Sequence, residues 1–548
     1  MRKGLFVVVM LPLIFVGIGA EGGEKRYPLR EDLAGYHREI TTRSDEAQKY
    51  FNQGLALYYG FNHDAAIASF AEVASLDSTC AMAWWGRAIS AGPNINNAAM
   101  DSAAALAAWD AIRHAMQLAS NASPVEQDLI RALSARYAWP RPEDRKALDV
   151  AYADSMRHVW RRHQDDADVG ALFADAMMNV RPWDLWTSRG EPQPGTPEIV
   201  ETLEKVLAMI PDHPAATHFY IHTMEASPFP ERAVAAADRL RDRIPGAGHL
   251  VHMPSHIDIR VGRYDDAVRS NQRAIAVDST WLSQEGFYAF YRSHNFHFLA
   301  YAAMFDGRRA LALQAARDMA QLIPLETILL LPDFLDATLA APIHVMVRFG
   351  IWDSLLAEPK PHPDLLAANA FWNYGRTVAL ATLGRIEEAT AELAALRLAY
   401  DAVPDSRLIG NNSVRTVLQV GLPMAEGELE YKKGERGRAF ELLRTAVRRD
   451  DSLRYDEPWG WMMPVRHSLG ALLLDDGRIE EAEAVYREDL RIHPNNGWAL
   501  KGLSECLHRK GDHEEAAATD ALFKQAWARS DIVIRASCFC RPDVQAGR

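Results

Sequence analysis

The stretch DDGRIEEAEAVYREDLRIHPNNGWALKGLSECLHRKGDHEEAAA, residues 475–518, decides the fold. Gly477 and Gly511 each sit in a short polar turn, 34 residues apart, and Ala482 and Ala516 follow them at the same offset of five. The stretch reads as helix, turn, helix, repeated. Outward from it the same punctuation recurs: KKGERGRAF carries Gly434 and Ala439, and GRIEEAT, GRRALAL and GRYDDAV begin at Gly384, Gly307 and Gly262. Gly427 and Gly470 supply a small residue in the helix before the turn. Near the start, DEAQKYFNQGLALYYGFNHDAAIASFAEVASLD (residues 45–77) has the same order, with Ala66 and Phe70 in its second helix. A helix pair of this length cannot bury its apolar face alone, so consecutive pairs must stack.

This pattern resembles the tetratricopeptide repeat: a small residue in the first helix, Gly at the turn, then Ala and an aromatic in the second helix. The resemblance implies an all-α fold, a right-handed helical-repeat solenoid of stacked tetratricopeptide helix pairs. The segments CAMAWWGRAISAGPNIN (80–96), PWDLW (182–186), HFYIHTMEAS (218–227) and GHLVHMPSHIDIRVGRYDDA (248–267) make the chain look like a group of secreted bacterial tetratricopeptide proteins. That likeness implies fold and location and carries no catalytic residue with it.

The chain divides, on this reading, into a signal peptide (1–20), an irregular helical region (21–213) with a Trp- and Pro-rich insertion (181–195), histidine-rich repeats (214–330), an irregular helical segment (331–366), regular repeats (367–530) and a Cys-containing tail (531–548). The signal rests on Arg2 and Lys3, the apolar run Leu5–Ile18 and the small residues Gly19 and Ala20. The run is short for a membrane span, so the mature protein is expected to be exported, periplasmic or extracellular; an uncleaved anchor is the alternative. In the region 21–213, Ser123-Pro124 with Glu126 spells a helix start, and helices are expected over 131–139, 142–163 and 166–180. No linker is visible that would cut the repeats into independent domains.

Histidine is concentrated in HPAATHFYIHTMEAS (213–227), GAGHLVHMPSHIDIR (246–260) and SHNFHFLAYAAMF (293–305). In register, His218, His252 and His297 share one place; His222, His256 and Tyr301 lie four residues on; His249 and His294 lie three before. Spacings of three and four put these on one face of each helix. The repeat resemblance implies more: these places, with Glu225 and with Asp175 and Asn179 on the preceding helix, line the concave groove.

Imidazole is the commonest ligand for zinc, copper and non-haem iron, and histidines four apart on a helix offer two nitrogens to one ion. The rows are therefore read as a transition-metal site of His218, His222, Glu225, His249, His252, His256, His294 and His297. Asp175, Asn179 and Tyr301 are outer partners, and Trp183 and Trp186 of the insertion either close over the site or brace the flanking helices. A ladder of histidines bonded to one another and to backbone carbonyls is the competing reading, and an anionic ligand or haem a third. His63, His114, His158, His163 and His513 sit in polar surroundings and read as surface residues.

A formal charge of -13 disfavours nucleic acid as a partner. Four cysteines are no disulfide framework in a chain of 548 residues; Cys538 and Cys540 could hold a soft metal, bond to Cys506, or lie idle in a mobile tail. No phosphate loop, GxSxG or HExxH occurs, so no catalytic residue is assigned. A metal carrier or metalloenzyme, a scaffold binding a partner peptide in the groove, and a self-assembling extracellular protein all remain open.

Overall fold

The computed structural model describes residues 26–281 and 288–541, and it is helical almost throughout. The expected signal segment lies outside the described residues. Among them, the pair Leu408–Ile409 and Asn412–Ser413 is the only sheet, and no helix is long and apolar enough to cross a membrane. Two compact units are present: residues up to Ile257 with Arg273–Arg292, and Asp258–Gln272 with Ser293 onward. The chain changes unit inside the helices Pro254–Arg260, Tyr264–Asp278 and Tyr288–Phe305, so no Pro- or Gly-rich linker marks the boundary.

The first unit opens with α1 (Asp45–Tyr59), α2 (His63–Leu76) and α3 (Ala81–Ser90). The Ser44 hydroxyl accepts from the Ala47 amide at 3.2 Å, which satisfies an end donor of α1. The repeat signature has a packing reason here. A Cβ added at Gly54 in α1 would lie 2.7 Å from the Phe70 ring, and one at Gly86 in α3 would lie 2.5 Å from it. Two glycines thus make the slot that buries the Phe70 ring completely. Gly86→Ala is expected to lower stability by about 1–3 kcal/mol through overpacking. Urea unfolding would show this as a lower midpoint at constant slope. An unchanged midpoint would mean that the slot yields.

The helix begun at Ser123 ends at Ser134, short of the expected 139, and the next runs Lys146–Arg162. Pro140 and Pro142 forbid helical hydrogen bonds there, and Arg136 turns inward to donate to the Pro93 carbonyl at 2.9 Å. Segment 181–195 is an ordered loop: the Thr187 amide donates to Glu191 O and the Gln193 amide to Leu185 O, both at 2.9 Å. Then come α4 (Pro214–Met224), α5 (Gly248–His252) and α6 (Pro254–Arg260). Pro214 fits the first turn of α4, and His213 Nδ1 accepts from the Ala216 amide.

In the second unit α7 (Val465–Asp475), α8 (Ile479–Ile492) and α9 (Gly497–Lys510) repeat the slot. Cβ atoms at Gly470 and Gly502 would lie 2.5 and 2.1 Å from the Tyr486 ring. The turn glycines Gly477 and Gly511 take φ of 78° and 79°, left-handed values that disfavour any side chain. Segment 331–366 consists of short helices, and Asp336 accepts from the Ala367 and Ala368 amides at the head of Leu366–Thr382. The tail is not idle. Ile534, Phe539 and Cys540 are buried, Cys538 and Cys540 form a disulfide, and Cys506 is a free buried thiol rather than their partner.

Candidate functional site

The histidine segments of the first unit converge, but inside the unit rather than on an open groove wall. His218, His222, Glu225, His249, His252 and His256 are each at most 3% exposed. The periodicity was right about a shared face; the groove-lining orientation is corrected, because Phe61 and other aromatic residues cover that face. The Phe61 ring centre lies 4.6 Å from that of His218, 5.9 Å from His222 and 5.4 Å from His249, with Tyr291 4.4 Å from His249.

Hydrogen bonds orient the rings. His218 Nδ1 lies 2.7 Å from the Tyr59 carbonyl, which can only accept, so that nitrogen carries the proton and Nε2 the lone pair. Glu225 does the same for two rings: Oε1 lies 3.0 Å from His222 Nδ1 and Oε2 2.5 Å from His256 Nδ1. In their neutral forms His222 and His256 therefore also present Nε2 lone pairs. His218 Nε2 and His249 Nε2 stand 3.2 Å apart. That is close to the roughly 3.3 Å between two nitrogens sharing a tetrahedral zinc with bonds of about 2.05 Å. One nitrogen from each of His218, His222 and His249 falls within 4.8 Å of the other two. His252 Nε2 and His256 Nε2 are 2.6 Å apart, too close to share such an ion and suited to a short N–H···N bond.

Charge follows from burial. Loss of water holds His218 and His256 down at about 3, and for His218 the neighbouring His256 adds to the effect. His249 is pushed well below its ordinary value by burial and then by His218, His252, His222 and His256. Its Nδ1 is buried without a hydrogen-bond partner. His218, His249 and His256 stay neutral at pH 7 in a cluster whose carboxylate, Glu225, accepts from His222 and His256, a donor set that suits a cation.

The remaining candidates are held as follows. Asp175 is spent elsewhere: its carboxylate accepts from the Tyr58 hydroxyl at 2.8 Å and from Asn179 Nδ2 at 3.0 Å, and burial raises its pKa. Both residues therefore serve the packing of Ala167–Met178 rather than orienting an imidazole. Of the insertion, Trp186 Nε1 donates to the Thr223 carbonyl of α4 at 2.6 Å, a brace. Trp183, half-buried, sets its ring edge-on to His222 at 5.6 Å, a cover. His294, His297 and Tyr301 belong to the second unit. There His294 packs edge-on to Phe298, His297 Nε2 lies 3.4 Å from Met462 Sδ, and Tyr301 stacks on Trp459.

Sequence reasoning missed Phe61 and the Tyr59 carbonyl, which lie at the end of α1 and in the turn after it and carry no periodic signal. It also read His63 as a surface residue, whereas the ring stacks on Tyr58 and burial lowers it to about 4. His213 was passed over too: its Nε2 lies 3.0 Å from the Tyr36 hydroxyl and 3.3 Å from Asp168.

Helix pairs with glycine-lined aromatic slots define the class, an all-α helical-repeat protein. Residues 473–519 match the family model described as tetratricopeptide repeat, so that stretch carries the tetratricopeptide pattern. No curated protein matches the chain. Solved structures it resembles include a human IFIT1 dimer with PPP-AAAA, at 12% identity and a TM-score of 0.35 over 89% of this chain and 96% of that one. The Cut9–Hcn1 hetero-tetramer of the APC/C matches at 14% identity and a TM-score of 0.31, over 85% and 78% of the two chains. Yeast Tom70 matches at 10% identity and a TM-score of 0.29, over 89% and 91%. Scores this low carry nothing to ligand or partner.

Proposed function

We propose that the first unit binds a transition metal (zinc, copper or iron) through His218, His222 and His249, with Glu225 holding His222 in the ligating tautomer. His252 and His256 form the adjoining pair on the far side of Glu225. The single observation that carries this reading is the set of occupied Nδ1 atoms. The Tyr59 carbonyl takes one and Glu225 takes two, an arrangement that metal-ligating histidines share because it turns their Nε2 lone pairs the other way. A histidine ladder is the competing reading, since His249 Nε2 can donate to His218 Nε2 at 3.2 Å as His252 can to His256 at 2.6 Å, and metal content separates the two. The protein would act as an exported carrier or metalloprotein of the periplasm or cell exterior, as the N-terminal apolar run suggests. The reading assigns no catalytic step.

Elemental analysis of full-length protein from metal-replete medium is expected to find about one or two equivalents of a transition metal. Less than about a tenth of an equivalent of copper, zinc, iron, nickel and manganese together would overturn the reading. A helical-repeat frame also suits a protein or peptide partner, and Leu330 and Leu398, 69% and 73% exposed, are apolar surface for one.

A further inference from the structure

The C-terminal tail of the second unit places two sulfurs beside a buried acid. One oxygen of Glu428, one sulfur of Cys538 and one of Cys540 lie within 4.8 Å of one another. Glu428 is 2% exposed and its Oε2 is buried with no hydrogen-bond partner. A disulfide between residues two apart closes so small a loop that it restricts the unfolded chain very little, so stabilisation does not account for it. The two sulfurs differ. Cys540 is 1% exposed, whereas Cys538 is half-buried and open to attack. Cys538 Sγ also receives the Cys540 amide at 3.0 Å and lies 3.3 Å from the Ser468 hydroxyl, two donors that stabilise a thiolate on it.

We propose that Cys538 and Cys540 form a redox-active pair that exchanges with external thiols, with Glu428 as its proton donor. In the first step an external thiolate attacks Cys538 Sγ and the bond to Cys540 breaks. Its electron pair goes to Cys540 Sγ, which takes the proton of the Glu428 carboxyl. In the second step another external thiolate attacks the outer sulfur of the mixed disulfide. Cys538 leaves as a thiolate held by Ser468 and the Cys540 amide. Two external thiols are oxidised to their disulfide, the protein disulfide is reduced to the dithiol level, and one of the two protons released returns to Glu428. Burial lifts the Glu428 carboxyl to about 7 against the pull of Ser468 and Lys432, so a proton is at hand near neutral pH. This inference is independent of the metal reading.

The test treats native full-length protein with reduced glutathione, quenches with acid, and maps iodoacetamide labels by mass spectrometry. Cys80 and Cys506 serve as internal controls, since burial lifts their thiols to about 11 and about 12. The expected result is two new labels, on Cys538 and Cys540 alone. Cys540→Ser treated with oxidised glutathione should keep one glutathione on Cys538, the other leaving as its thiolate, and Glu428→Gln should slow reduction of the native disulfide at least about tenfold at unchanged circular dichroism. Reduction only after unfolding overturns the proposal, as does wild-type speed in a folded Glu428→Gln protein. So does a purified sample in which both sulfurs are thiolates on a metal, unreactive until a chelator is added. If Glu428→Gln fails to fold, the label map and the Cys540→Ser adduct decide alone.

Discussion

Replacing Glu225 by Ala weakens metal binding about 10- to 100-fold, the usual cost of removing a group that orients a ligating histidine. The Glu225 carboxylate is fully buried and accepts from His222 and His256 at once. Without it two buried N–H groups lose their acceptor, at about 1–3 kcal/mol each, and the His222 proton is no longer confined to Nδ1. A proton that moves to Nε2 blocks the nitrogen that would ligate. Glu225→Gln should fall between, since its carbonyl can serve one ring while its amide must face the other, and the negative charge is gone. His252→Ala, which removes the partner of His256, should reduce metal content severalfold. His467→Ala should not, because His467 belongs to the second unit and is paired there with Asp489 at 2.8 Å. Competition with a chromophoric zinc chelator measures all four. Equal losses from His252→Ala and His467→Ala, or an unchanged affinity in Glu225→Ala, would rule out a localised site.

Metal-stripped protein should lose stability steeply on mild acidification. His218 and His256 titrate at about 3 when folded, against about 6.5 in an unfolded chain, and burial holds His249 well below its ordinary value too. Below about 6.5 the unfolded chain binds protons that the folded chain refuses, so stability is whole above that pH and drains away toward about 3. Each imidazole contributes about 1.4 kcal/mol per pH unit, so these three remove about 4 kcal/mol between pH 6 and pH 5. His344 and His493, buried in the second unit, and half-buried His297 act in the same direction. The acid Asp489 does not confuse this window. Burial opposes its ionisation, but His467 and Asn496 outweigh that and hold it at about 2, so its contribution fades only below about pH 4. Urea unfolding at pH 7, 6 and 5 reads the slope, and His218→Phe should make it shallower by one proton. Buried Glu428, Asp450 and Asp456, raised to about 7, about 8 and about 8, gain stability as pH falls and offset part of this slope, so the comparison with His218→Phe decides: an unchanged slope in that variant would show that the ring is charged, and the neutral cation site would fall with it.

The repeat architecture was legible in the sequence because its causes are local. A glycine that must take a left-handed φ, as Gly477 does, and a small residue that must face an aromatic, as Gly86 faces Phe70, recur at fixed offsets whatever the rest of the chain does. The convergence of His218, His222 and His249 was half legible: spacings of three and four place residues on one face of a helix without saying what lies opposite. Only the tertiary structure decided that this face is interior, because its cover comes from Phe61, Trp183 and Tyr291, scattered over more than two hundred residues. It also decided that Asp175 answers Tyr58 instead of a histidine, that His294 and His297 belong to another unit, and that Glu428 meets Cys538 and Cys540 from over a hundred residues away. Local rules follow from backbone conformation and side-chain volume within a few turns. Burial, tautomer and proton affinity follow from which distant segments pack against a group, and periodicity does not encode that.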